Sequence, residues 1–156
     1  MIKISVITIS DRAFRGEYED KSGPKIIERL IASKIAIDIK YSVIPDDRQM
    51  IRKEIEWNLG NDYILTTGGT GISPRDITPD VTKEICDYEL PGISEMLRAE
   101  SLKETENAVF SRGFSGVKDN TIIINFPGSV KAVSLCTGLI VPVLEHGVKM
   151  LRGEKH

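Results

Sequence analysis

Three glycines within four residues, Gly68, Gly69 and Gly71, directly follow the apolar run Tyr63-Ile64-Leu65. The run reads as a buried strand, so the chain must turn tightly at that strand's carboxyl end. Glycine takes positive φ and lets a ligand come close to peptide N–H groups. A row of such groups at the end of a strand makes a nest for anions. Arg75 and Asp76 follow, and Thr78-Pro79 reads as an N-cap and first helical residue. A glycine turn alone is often a plain turn. Three glycines with an arginine and an aspartate in so short a span favour a phosphate site, with a clamp and a metal ligand beside it.

Around this turn, strands alternate with helices. Ile2 to Ile9 is β-branched and reads as a mostly buried strand, and Ser22-Gly23-Pro24 opens a helix with Ile26, Ile27, Leu30 and Ile31 on one face. Ile37 to Val43 alternates apolar and polar residues, a strand with one wet face. Ile51, Ile55 and Leu59 mark a helix, Tyr63 to Thr67 a strand, and two further helices run from Pro79 to about Tyr88 and from Gly92 to about Leu102. Ala108 to Phe114 and Thr121 to Phe126 read as strands joined by a hairpin turn over 116–120. From Ser129 an apolar stripe continues to Leu151, with Pro142 forcing a break. The expectation is one domain over 1–156, a three-layer α/β sandwich around a mostly parallel central sheet.

Every polar motif then follows a strand: Ser10-Asp11-Arg12, Pro45-Asp46-Asp47, the glycine turn, and Asn125-Phe126-Pro127-Gly128-Ser129. Open α/β sheets bind ligands at the carboxyl ends of their strands, so these turns are expected to meet in one cleft. Taken singly, Asp46 or Asp47 reads equally well as a cap of the next helix, and Ser129 as an N-cap.

Composition narrows the class. The 156 residues are 40% hydrophobic and 28% charged, with a formal charge of −2, which suits a globular enzyme and not a nucleic-acid binder, whose footprint is basic. The sequence shows no signal-type pattern and no evident run of about 18 apolar residues, so no membrane association and a cytoplasmic location are expected. Cys86 and Cys136 fall on apolar positions as buried thiols, and neither His146 nor His156 has ligand-like spacing. The glycine turn lacks the Lys-Ser/Thr of a P-loop, and no G-x-G-x-x-G opens a helix after the first strand.

Read together, the motifs resemble the molybdopterin adenylyltransferase family, shared with gephyrin and the plant molybdenum-insertion protein. The residues that carry the resemblance are Ser10-Asp11-Arg12, Asp20 to Pro24, Ile44-Pro45-Asp46, Thr67 to Gly71, Pro74 to Asp80, Pro91-Gly92, Ser111-Arg112 and Asn125 to Ser129. The resemblance implies a fold of molybdopterin-binding type and transfer of adenylate from ATP to molybdopterin, with Mg²⁺ and release of pyrophosphate. It implies Asp46 and Asp76 as catalytic and metal-holding residues. Gly68, Gly69, Thr70, Gly71 and Arg75 fall to the nucleotide phosphates. Ser10, Asp11, Ser22, Ser111, Asn125, Pro127, Gly128 and Ser129 fall to molybdopterin, with Lys21 and Lys131 as further charge partners. It also implies a homotrimer or hexamer. The alternative is a carrier or scaffold domain that holds molybdopterin without turning over ATP. Asp46 and Asp76 favour the enzyme, because an anion carrier gains nothing from two carboxylates near phosphates.

Overall fold

The computed structural model describes residues 1–155; His156, given no role above, lies outside them. The element order is β1 (Ile2–Ile9), α1 (Asp11–Phe14), α2 (Ser22–Ala32), β2 (Ile37–Ile44), α3 (Arg48–Trp57), β3 (Tyr63–Thr67), α4 (Thr78–Ile85), β4 (Tyr88–Glu89), α5 (Pro91–Glu104), β5 (Ser115–Lys118), β6 (Thr121–Phe126), α6 (Val130–Ile140) and α7 (Leu144–Leu151), with 3-10 turns at Glu106–Phe110 and Val141–Val143. The strands form one six-stranded sheet in the order β2-β1-β3-β6-β5-β4. The β2-β1-β3-β6 pairings are parallel; β5 and β4 extend the sheet antiparallel beyond β6.

The β-branched runs explain the layering. A strand sends successive side chains to opposite faces, so an unbroken apolar run is stable only with both faces covered. On one face Ile4, Val6, Leu65 and Ile124 pack against Ile26 and Leu30 of α2 and Val133, Cys136 and Ile140 of α6. On the other, Ile7, Ile9, Ile64 and Ile123 meet Ile51 and Ile55 of α3 and Val81 and Ile85 of α4. Each such side chain contributes about 1.5–3 kcal/mol when fully buried. β2 is one of the two edge strands, and its alternation of half-buried and exposed residues matches its one wet face.

Several expectations need correction. Ala108 to Phe114 is not a strand. Thr105 Oγ1 accepts the Asn107 N–H at 3.3 Å and starts a 3-10 turn, and Val109 and Phe110 lie exposed. The strand begins at Ser115, where small residues let β4 approach: a Cβ at Gly116 would stand 2.7 Å from the Tyr88 carbonyl oxygen. The hairpin turn is correspondingly only Asp119-Asn120, with Asp119 at φ 53°. The helix expected to reach Tyr88 stops at Ile85, because Tyr88–Glu89 pairs with β5. Its N-cap is Ile77, with Thr78 already inside. The short helix α1 was not foreseen; Ser10 caps it through the Ala13 N–H. Pro142 does interrupt the last helical stretch. That stretch, Val130–Leu151, is long and apolar enough to cross a membrane by length and composition alone. Its stripe of Val133, Cys136, Ile140, Leu144 and Val148 is instead part of the core.

Candidate active site

Because β1, β2, β3 and β6 are parallel, their carboxyl ends and the four polar turns lie along one edge of the sheet. The ends of β1 and β2 are tied reciprocally. The Asp11 N–H donates to Asp46 Oδ2 at 3.0 Å, and the Asp46 N–H donates to Asp11 Oδ1 at 2.9 Å. Asp46 is therefore not the helix cap. Asp47 fills that role, accepting the Met50 N–H at 2.9 Å. Arg75 reaches across the edge and donates to Asp11 Oδ2 through Nε and Nη2, at 3.1 and 2.7 Å.

The two aspartates are consequently unlike. Burial pushes the Asp11 carboxyl up, but the Arg75 guanidinium and the Asp46 N–H outweigh it and hold the group below its ordinary value. Half-buried Asp46 moves the other way. Burial, helped by repulsion from the Asp11 and Asp76 carboxylates, raises it against the opposing Asp11 N–H. The arrangement concentrates negative charge that a cation would relieve.

The glycine turn is where backbone freedom is required. Gly68 and Gly69 have φ of +99° and +67°. A Cβ on Gly68 would strike the Ile9 carbonyl oxygen, and one on Gly69 would stand 3.1 Å from Asp46 Oδ1. At Gly71 the same position is 2.8 Å from Asp76 Oδ2. The turn thus runs between the two carboxylates. Asp76 is oriented by the Ser73 N–H at 3.0 Å. The buried Thr78 hydroxyl, close to Gly69, has no hydrogen-bond partner among the described residues. The described residues contain no group of three or more His, Cys, Asp or Glu side chains placed to hold a metal. Two carboxylates alone do suit Mg²⁺, which characteristically takes one or two protein carboxylates and completes its shell with water and substrate phosphates.

The remaining residues divide between walls and supports. A cavity of about 280 Å³ is lined by Thr70, Gly71, Ser111, Pro127, Gly128 and Ser129, together with Arg98 and Phe110. A smaller one of about 130 Å³ opens between Ser10, Tyr18, Asp20, Ser22, Gly68 and Gly128. The largest, about 660 Å³, lies beyond Ser129 with Lys25, Arg29 and Lys131 on its rim; it does not touch the glycine turn. Ser22 Oγ donates to the Gly128 carbonyl and Thr67 Oγ1 to that of Pro127, both at 2.6 Å, so the β6 turn is held against α2 and β3. Ser129 Oγ accepts the Ala132 N–H at 3.2 Å and caps α6, and Ser111 Oγ accepts the Gly113 N–H at 3.3 Å. Lys131 pairs with Glu104 at 3.2 Å. Lys21 sits just before α2 without capping it by its side chain.

Asn125 stands apart from the cavity walls. Its side chain is buried below the edge; Nδ2 donates to the Thr66 and Thr82 hydroxyls at 3.0 Å each, and Oδ1 accepts the Phe114 N–H at 3.1 Å. It joins β6, β3 and α4 and lines none of the cavities just described. Asp20 and Arg112, which stand in motifs that carry the resemblance but have no role in the sequence reading, are supports. Asp20 accepts the Ser22 and Gly23 N–H groups, the Thr8 hydroxyl and the Tyr41 hydroxyl. Arg112 binds the backbone of the glycine segment. The adjacency of Arg112 to Ser111 was the one available signal, and it says nothing of where the guanidinium points.

With this geometry in hand, similarity to known proteins is informative. The family described as "Probable molybdopterin binding domain" matches residues 5–146. The chain is 36% identical to the molybdopterin adenylyltransferase of Helicobacter pylori strain J99, covering 97% of this chain and 89% of that protein. It is 38% identical to the molybdenum cofactor synthesis protein cinnamon of Drosophila melanogaster, covering 96% of this chain and 26% of that longer protein. A molybdopterin biosynthesis enzyme of Thermus thermophilus superposes with a TM-score of 0.88 at 38% identity, over 99% of this chain and 98% of that one.

Proposed function

This chain belongs to the molybdopterin-binding domain family, and we propose on that footing that it acts in molybdenum cofactor biosynthesis as a molybdopterin adenylyltransferase. One observation carries the reading. Asp46 and Asp76 flank the glycine turn at the sheet edge, beside the cavity that ends at Ser129. In the reaction, an oxygen of the molybdopterin phosphate attacks the α-phosphorus of ATP, and the bond from that phosphorus to pyrophosphate breaks. A phosphate monoester has its second pKa near 6, so at pH 7 most of the nucleophile is already the dianion and needs no general base. What the protein must supply is position and charge neutralisation.

The chain's groups divide that work. N–H groups of the turn from Gly69 to Gly71 receive the nucleotide phosphates, the Gly68 N–H being taken by the Phe126 carbonyl at 3.3 Å. Ser111 and the turn from Pro127 to Ser129 receive the molybdopterin phosphate at the N-terminus of α6, whose unpaired N–H groups favour an anion. Asp46 and Asp76 would hold Mg²⁺, which when bound supplies neutralisation of the phosphate charge. The Asp11 N–H keeps Asp46 oriented, and Arg75 holds the Asp11 carboxylate in place through two donors. We further propose a homotrimer or a hexamer, as the family resemblance implies; light scattering is expected near three or six times the 17.3 kDa chain mass, and a value near 17.3 kDa refutes it. The reaction is tested by mixing protein, ATP, Mg²⁺ and molybdopterin and looking by mass for adenylylated molybdopterin. Retention of unmodified molybdopterin with no ATP consumed would establish the carrier instead.

A further inference from the structure

Between Thr67 and Thr78 the chain runs through ten residues with no helix or strand, yet it holds both the glycine turn and Asp76. Besides the Gly68 N–H bond to the Phe126 carbonyl and the Arg75–Asp11 pair, the segment is fastened by Arg112. The Arg112 N–H donates to the Thr70 carbonyl at 2.8 Å. Its Nε donates to the Gly71 carbonyl at 3.0 Å and its Nη2 to that of Asp76 at 2.7 Å. Nη1 and Nη2 also grip the Asp80 carboxylate of α4, at 3.2 and 3.0 Å. Arg112 is itself braced from behind. Arg98 Nη1, on α5, donates to the carbonyls of Ser111 and Gly113 on either side of it, at 3.2 and 2.9 Å.

We infer that Arg112 is a positioning residue for adenylyl transfer, setting the path from Gly71 to Asp76 so that the Asp76 carboxylate is held beside the glycine turn. A planar guanidinium with five fixed donors can serve two carbonyls five residues apart and still pair with a carboxylate. An ammonium on a flexible stem cannot hold all three at once. The ion pair alone, partly exposed, would contribute little. The bonds to Gly71 and Asp76 set geometry, and geometry is what this chemistry needs. Arg112 lines neither of the cavities at the turn, so its effect passes through Asp76.

The inference rests on the adenylyltransferase reading and is tested by two readouts, one independent of that reading. Arg112→Lys, Arg112→Ala and Asp80→Asn are compared with wild type. A misplacement of about 1 Å costs on the order of 100-fold in rate, so Arg112→Lys is expected to lose about 10- to 100-fold in kcat, with KM for molybdopterin changed less than about threefold. Asp80→Asn, which leaves both carbonyl contacts in place, should stay within about threefold of wild type in kcat, the effect of losing a surface pair. Added guanidinium should restore part of the Arg112→Ala rate. Amide hydrogen exchange without substrate should quicken across 70–76 in Arg112→Lys while β1 and α2 are unchanged. Wild-type kcat in either Arg112 variant, unchanged exchange over 70–76, or an equal loss in Asp80→Asn would overturn the assignment. Failure of wild-type protein to adenylylate molybdopterin would refute the activity, while the exchange data would still decide whether Arg112 holds the segment.

Discussion

Replacing Asp46 with asparagine should make the protein more stable and nearly inactive. The side chain keeps its shape, and its amide oxygen can still accept the Asp11 N–H that now lies 3.0 Å from Oδ2. What disappears is charge. Burial first, then repulsion from Asp11 and Asp76, raises the folded-state pKa of Asp46 above the ordinary 3.8, against the Asp11 N–H and Arg75. The folded protein therefore binds this proton more readily than the unfolded chain. Stability from that preference is complete below pH 3.8 and is lost as pH rises through the folded value. At pH 7 the ionised group opposes folding, and asparagine removes the opposition. Partial exposure screens the effect, so the gain should be about 0.5–1 kcal/mol, at the lower end of stabilising substitutions. For a chain of this length that is about 1–4 °C in Tm. Turnover should fall by about two to three orders of magnitude, as when an electrostatic group used in a transition state is deleted. Thermal unfolding at pH 7 and pH 3.5, with product measured by mass, checks both halves. The gain in Tm should shrink at the lower pH. A variant less stable than wild type at pH 7 but equal to it at pH 3.5 would refute the reasoning, because the carboxylate would then be supporting the fold.

Gly68→Ala should fold poorly. The φ of +99° and the collision with the Ile9 carbonyl are both backbone problems that no side-chain rotation relieves, so a loss of about 2–4 kcal/mol is expected by thermal unfolding; a Tm within 2 °C or so of wild type would contradict the turn geometry. Arg75→Ala should cost no more than about 1 kcal/mol at pH 7, because the guanidinium is exposed. Its cost should vanish on acidification, since the lowered Asp11 pKa adds stability above pH 3.8 that is lost as pH falls through the folded value. A deficit that grows below pH 3.8 in denaturant titrations counts against the Arg75–Asp11 pair.

Much of the fold was legible because periodicity is local. Ile2 to Ile9 and Tyr63 to Thr67 are apolar on both faces, which demands a sheet covered on two sides, and the helical stripes between them supply the cover. The segment around Ala108 misled because Val109 and Phe110 suggest a strand by composition, while their exposure is set by how α5 ends and the chain swings toward Thr70. Tyr88–Glu89 is too short to announce itself and is a strand only because β5 lies alongside. For the site, Asp46 was marked only by the family resemblance, while the glycines with Arg75 and Asp76 could be singled out as a phosphate turn by type and spacing. The role of Asn125 could not, since its amide is used up by hydroxyls 59 and 43 residues away in the chain.

The division has a physical basis. Segments that bury both faces, the positive φ at Gly68 and Gly69, and the residues that bring oxygen or charge to the strand ends follow from side-chain chemistry and neighbours close in the chain. Which of two adjacent aspartates caps a helix and which faces the turn, and that Asp11 and Arg75 engage each other, follow from the packing of distant segments. The same holds for Arg112, which fastens a segment some forty residues earlier. The aspartate pairings depend on the parallel order β2-β1-β3-β6 and the Arg112 contacts on the approach to antiparallel β5, which bring remote turns within hydrogen-bond reach at distances no local pattern encodes.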